Sequence, residues 1–105
     1  VGALQCLIER FGAVVVLKGA DTLVSGPGSP IYRIHAGNPG MAVGGMGDVL
    51  SGVIAGLLAQ GLGALDAARW GALLHAVAGD HAASVGQRGL LPSDLLPYLR
   101  AGCNR

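Results

Sequence analysis

Apolar residues recur at helical spacing at Leu4, Leu7, Ile8 and Phe11, and Gly12 follows as a stop, so the chain opens on an amphipathic helical segment. The pattern then changes. Ala13 to Leu17 is a continuous apolar run centred on Val14, Val15 and Val16, the signature of a strand covered on both faces as in parallel sheets. Lys18 to Asp21 turns the chain, Thr22–Ser25 reads as a second strand, and Ile31–His35 as a third, with Gly26-Pro27-Gly28-Ser29-Pro30 between them as a hairpin turn. After a glycine-rich loop, Val49, Leu50, Val53, Ile54, Leu57 and Leu58 give a broad helical stripe over about 47–60. The other side of that helix carries Ser51, Gly52, Ala55, Gly56 and Ala59, small enough for a neighbouring element to approach, which predicts burial on both sides. Asp66 opens a helix over about 65–83, whose Trp70, Leu73, Leu74 and Val77 are expected in the core. A last helix is expected near 93–101, with Ser93 as its cap and Pro97 tolerated only in its first turn. Strands and helices in this order predict an α/β fold.

Composition narrows the class. Of 105 residues, 51% are apolar and 12% charged, which excludes a disordered tail. The net charge is +1 and no basic run occurs, so a nucleic-acid partner is not expected. The longest uncharged stretch, Val49 to Leu65, falls short of the roughly 20 residues a membrane helix needs. No secretory leader is visible in the sequence given. Cys6 and Cys103 form no CxxC pair and are expected as free, buried thiols of a cytoplasmic protein.

Candidate chemistry concentrates in Gly37-Asn38-Pro39-Gly40-Met41-Ala42-Val43-Gly44-Gly45-Met46-Gly47-Asp48. Glycines that feed a helix start let backbone N–H groups and the positive dipole end converge on one spot, which suits a phosphoryl group. Asp48 beside it is placed to take a proton from a substrate hydroxyl. Read without a ligand, Asp48 is an ordinary first-turn acid that stabilises its helix by roughly 0.3–1 kcal/mol. Known phosphate loops do not fit: Gly40 and Gly45 have Walker spacing, but Met46 stands where lysine is required, and no G-x-G-x-x-G occurs. Spacing leaves both readings open; the glycine density favours a site.

The run Asn38-Pro39-Gly40-Met41, then Gly44-Gly45-Met46-Gly47-Asp48-Val49-Leu50-Ser51-Gly52, resembles the signature of the ADP/ATP-dependent NAD(P)H-hydrate dehydratases of the ribokinase-like superfamily. Lys18-Gly19-Ala20-Asp21-Thr22, Leu74-His75 with Ala78-Gly79-Asp80, and Gly89-Leu90 with Ser93-Asp94-Leu95 extend the likeness over nearly the whole chain. It implies that residues 1–105 are the C-terminal portion of one three-layer α/β/α domain whose N-terminal portion is absent. The implied reaction is nucleotide-dependent repair of hydrated NADH and NADPH: phosphorylation of the ring hydroxyl, then elimination of phosphate.

By position, the resemblance assigns nucleotide binding to Lys18, Gly19, Ala20, Asp21, Thr22 and Gly47. It assigns an anion hole to Gly44, Gly45, Met46 and Gly47, substrate contact to Asn38 and Asp48, and the catalytic base to Asp48. The donor is ADP or ATP accompanied by Mg2+, with no metal ligands expected from the chain itself. The complete protein is expected to be a homo-oligomer without a membrane or nucleic-acid partner, and these residues alone to be inactive and poorly stable or associated. A ribokinase-like small-molecule kinase would use the same loop and aspartate, although Asn38-Pro39-Gly40-Met41 argues against it; a non-catalytic fragment is the other alternative. His75 and His81 lie six apart on different helix faces, so no shared metal is expected. His75 is read as a packed, hydrogen-bonded core residue and Asp80 as a solvent-facing helix acid. Met41 reads equally as loop packing or substrate wall.

Overall fold

The computed structural model describes residues 2–19 and 21–104. Helix α1 (Gly2–Phe11) leads to β1 (Val15–Leu17), β2 (Thr22–Ser25) and β3 (Tyr32–Ile34). A single helical turn at Pro39–Met41 then precedes α2 (Met46–Ala59), α3 (Ala64–Ala82) and α4 (Leu96–Cys103). The three strands form one sheet in the order β1-β2-β3, antiparallel at both pairings. Val16 faces Val24, and Val24 faces Tyr32, so the three share one side of the sheet. That side meets α3: Val24 and Ile34 pack with Leu50, Ala68, Ala72 and Ala76 in one core, with Val16, Tyr32 and Ile54 at its margin. Arg69 lies over the Tyr32 ring at 3.8 Å and extends this contact towards the surface.

Alanine and glycine let α2 and α3 pack closely. A Cβ on Gly71 would sit 2.6 Å from Ile54 Cγ1, so any side chain at position 71 would force Ile54 to shift. A second core gathers Met46, Ala78, Ala82, Leu90, Leu95 and Leu99, tying the start of α2 to the C-terminal segment. There, Leu91 N–H donates to Asp94 Oδ2 at 2.9 Å, and Pro97 lies in the first turn of α4, where its missing donor disturbs nothing. Ser93 therefore caps no helix: it lies within a 3-10 turn at Pro92–Leu95 that Asp94 closes, and α4 begins after Leu95 without a side-chain cap.

Several sequence expectations change. The valine run forms an antiparallel strand, and each residue of β1 is half-buried, because among the described residues only β2 pairs with it. Ser51, Gly52, Ala55, Gly56 and Ala59 are exposed, since no element among the described residues covers that side of α2. Trp70 is 53% exposed: the buried side of α3 is built from Ala68, Gly71, Ala72, His75 and Ala76, and Trp70 falls outside it. Cys6 and Cys103 are both free but exposed, on the outer side of α1 and at the end of α4. No helix among the described residues is long and apolar enough to cross a membrane.

Candidate active site

The glycine loop leaves β3 and is fastened at once. Gly37, at φ +109°, donates its N–H to Asp80 Oδ2 at 2.9 Å, and Asn38 Nδ2 donates to Asp80 Oδ1 at 2.9 Å. Asn38 Oδ1 accepts from Gly40 N–H at 3.0 Å and so caps the Pro39–Met41 turn. Gly40 is required by close approach, because a Cβ there would sit 2.7 Å from the Gln87 carbonyl oxygen. Met41 reaches inward onto Gly79, where a Cβ would overlap its sulfur, and it also borders a cavity. Packing and wall are therefore one role for Met41. Asp80 is not the solvent-facing acid expected from sequence but the anchor of this loop. Nothing local signals that, since the contact joins residues 42 apart.

At its far end the loop becomes the start of α2. Val43 N–H donates to the Met41 carbonyl at 2.9 Å, and Met46 N–H to the Val43 carbonyl at 3.4 Å. Gly45 takes φ +90°, a left-handed conformation that favours glycine, and Pro92 Cγ would lie 3.2 Å from a Cβ there. The helical ladder begins with Val49 N–H donating to the Gly45 carbonyl at 3.2 Å, so the N–H groups of Gly47 and Asp48 lie ahead of it at the positive dipole end. Gly44, Gly45, Gly47 and Asp48 are exposed, whereas Met46 is buried in the second core. The methionine side chain thus points away from the candidate anion site, and its own N–H is engaged with Val43.

A cavity of about 530 Å³ lies between the Lys18–Thr22 turn and the glycine loop. Lys18, Gly19, Thr22, Asn38, Met41 and His75 contribute to its lining. Ala20 lies outside the described residues. The Asp21 carboxylate is drawn to Arg33 Nε at 3.8 Å in an exposed pair, which adds little stability. Gly44, Gly45, Gly47 and Asp48 are not part of the lining; they stand at the exposed helix start. Partial burial lowers the Lys18 ammonium from the ordinary lysine value.

His75 links the two halves. It projects from α3, is 1% exposed, and lines the same cavity as Lys18. Burial pushes its pKa down to about 4, the Lys18 charge pushes the same way, and a hydrogen bond with the Met46 backbone opposes them. Its Nε2 is buried and has no partner among the described residues, so the fully hydrogen-bonded core histidine expected from sequence is only half realised.

Comparison with known proteins gives a consistent picture. The model of a family described as NAD(P)H-hydrate dehydratase (Carb_kinase) matches residues 1–100. A bifunctional NAD(P)H-hydrate repair enzyme of Vibrio cholerae is 58% identical over 99 residues, covering 93% of this chain and 20% of its own length. The crystal structure of an ADP/ATP-dependent NAD(P)H-hydrate dehydratase from Bacillus subtilis, co-crystallised with ATP/Mg2+ and soaked with CoA, superposes with a TM-score of 0.89 at 26% identity. It covers 99% of this chain and 39% of that one. A ribokinase-like superfamily protein of Enterococcus faecalis V583 superposes with a TM-score of 0.84 at 29% identity, over 99% of this chain and 36% of that one. The chain therefore spans between a fifth and two fifths of the length of these proteins. Its fold is that of a ribokinase-like α/β protein.

Proposed function

The chain belongs to the NAD(P)H-hydrate dehydratase family, and we propose that the complete protein dehydrates hydrated NADH and NADPH at the expense of ADP or ATP. We infer that these residues form the C-terminal portion of a single dehydratase domain, in a cytoplasmic homo-oligomer. One observation carries the functional reading. Two segments far apart in sequence, Lys18 to Thr22 and Asn38 to Met41, border one cavity, and both belong to the motifs on which the resemblance to the dehydratases rests.

In this reading Asp48 accepts the proton of the substrate's ring hydroxyl as that oxygen attacks the terminal phosphorus of the donor. The donor leaves one phosphate shorter, as AMP from ADP. The phosphorylated carbon then loses its C–O bond to phosphate while the neighbouring ring carbon gives up a proton, which restores the dihydronicotinamide double bond. The net change is loss of water from the hydrate, with its oxygen carried away on phosphate. Negative charge on the transferring group is met by the N–H groups of Gly44, Gly45 and Gly47 and by the start of α2. The Met46 backbone holds the turn between them, and Lys18 supplies the positive charge on the cavity side. Asn38, whose amide is engaged at both ends, shapes the substrate wall through Pro39 and Met41.

Among the described residues no three His, Cys, Asp or Glu side chains gather to hold a metal ion. Magnesium fits here as an ion carried on the donor's phosphates, a mode that takes at most one or two protein carboxylates. When bound, it neutralises phosphate charge. The test is direct: hydrated NADH is incubated with the complete protein and ADP or ATP, and the absorbance of the restored dihydropyridine is followed. Growth of that absorbance with release of AMP or ADP is expected. A stable phosphorylated product without NADH would instead mark a small-molecule kinase.

A further inference from the structure

The Nε2 atom of His75 is a buried polar atom with no hydrogen-bond partner among the described residues, on a side chain that lines the cavity. Leaving a buried polar group unpaired costs about 1–3 kcal/mol, so such atoms in native proteins nearly always have a partner, in protein, water or a bound ligand. The chemistry of that partner follows from the ring. His75 is neutral at ordinary pH, with a pKa of about 4, and carries one proton. The hydrogen bond to the Met46 backbone favours the protonated ring, so it is an N–H of the ring that faces the carbonyl there. That places the single proton on the nitrogen turned to Met46 and leaves Nε2 a bare acceptor. A phosphate oxygen, itself an acceptor, is excluded as its partner. A hydroxyl or amino group fits.

The surroundings select among donors. Lys18, Gly19 and Thr22 border the same cavity, and the same stretch is the one assigned to the nucleotide. We propose that His75 is a nucleotide-binding residue whose Nε2 accepts a hydrogen bond from a ribose hydroxyl or the base amino group of the bound nucleotide. This rests on the functional reading above and extends it. His75 thereby ties the two halves of the site together: it contacts the turn of the anion-binding loop at Met46 on one side and the nucleoside on the other. A charged histidine would repel Lys18, and the buried, neutral ring avoids this while still offering a lone pair.

The experiment uses the complete protein labelled with 15N-histidine, with ADP as the probe. The Nε2 resonance of His75 is expected at the position of an unprotonated, weakly bonded nitrogen before ADP is added. It should shift to lower frequency on saturation, while His35 and His81 stay in place. In parallel, His75→Phe should weaken ADP binding roughly tenfold, the loss of about one hydrogen bond to a buried acceptor, and His75→Gln, which keeps an acceptor, should recover part of it. An Nε2 resonance that is already hydrogen-bonded without ADP and does not move shows that another segment of the protein supplies the partner, and overturns the proposal. If ADP binds the wild-type protein without moving this resonance, only the His75 assignment falls. If ADP does not bind at all, both this proposal and the functional reading fall.

Discussion

Asp80 grips Asn38: its Oδ1 accepts from Asn38 Nδ2 at 2.9 Å while its Oδ2 accepts from the Gly37 N–H at 2.9 Å. Through Asn38 Oδ1 the grip continues to the Gly40 N–H, so one carboxylate on α3 holds the glycine loop at Gly37 and Asn38 directly and at Gly40 through Asn38. Hydrogen bonds to an ionised acceptor are about twice as strong as neutral ones. Asp80→Ala should therefore destabilise the complete protein by roughly 2–3 kcal/mol, read from the midpoint of urea unfolding at unchanged slope. Turnover should fall further than stability alone explains, because the wall formed by Pro39 and Met41 loses its anchor.

What the sequence reveals and what it hides divide along the reach of the contacts. The strands at 22–25 and 32–34 and the long helices follow local periodicity and turn chemistry, and they appear within a few residues of expectation. The directions of the strands do not: a run such as Val14-Val15-Val16 reads the same in a parallel or an antiparallel sheet, and the pairing with β2 settles it. Exposure of Trp70 and of the Gly52–Gly56 side of α2 depends on which elements are present to cover them. The dense glycine loop and Asp48 stand out in sequence because glycine and a helix-start acid are local signals. Asp80 and His75 sit on α3 and act on a loop and a turn far earlier in the chain, and helical spacing carries no trace of that.

Gly45 tests the helix start. Its φ of +90° strains any L side chain, and Pro92 Cγ lies 3.2 Å from where a Cβ would stand. Gly45→Ala should cost about 1–2 kcal/mol from the left-handed conformation alone, and Gly45→Val more. Both changes should also weaken ADP binding, measured by titration calorimetry on the folded fraction. Gly44→Ala, with no atom within 4 Å of the added carbon and no positive φ, should cost much less stability.

The depressed pKa of His75 predicts an acid-sensitive fold. The folded pKa of about 4 lies below the ordinary value of 6.5 that the unfolded chain approaches, so between these values the unfolded state binds more protons. Stability from this group is fully present above about pH 6.5 and is lost as pH falls towards 4. At 1.36 kcal/mol per pKa unit the loss is of order 2–3 kcal/mol. Urea unfolding of the complete protein at pH 7 and pH 4.5 should show this drop, and His75→Gln should reduce the dependence on pH while lowering stability at pH 7.

The most direct measurement of the central claim is turnover of hydrated NADH by wild-type and Asp48→Asn forms of the complete protein, with ADP binding measured on the same samples. The amide has nearly the same shape as the carboxylate but takes no proton from the hydroxyl at neutral pH, while the backbone donors at Gly44, Gly45 and Gly47 are untouched. Restoration of dihydropyridine absorbance by the wild type and a loss of roughly 10²–10⁴-fold in kcat for Asp48→Asn, with ADP affinity unchanged, is the predicted result. Wild-type protein that restores no NADH, or Asp48→Asn that turns over at near the wild-type rate, would contradict it.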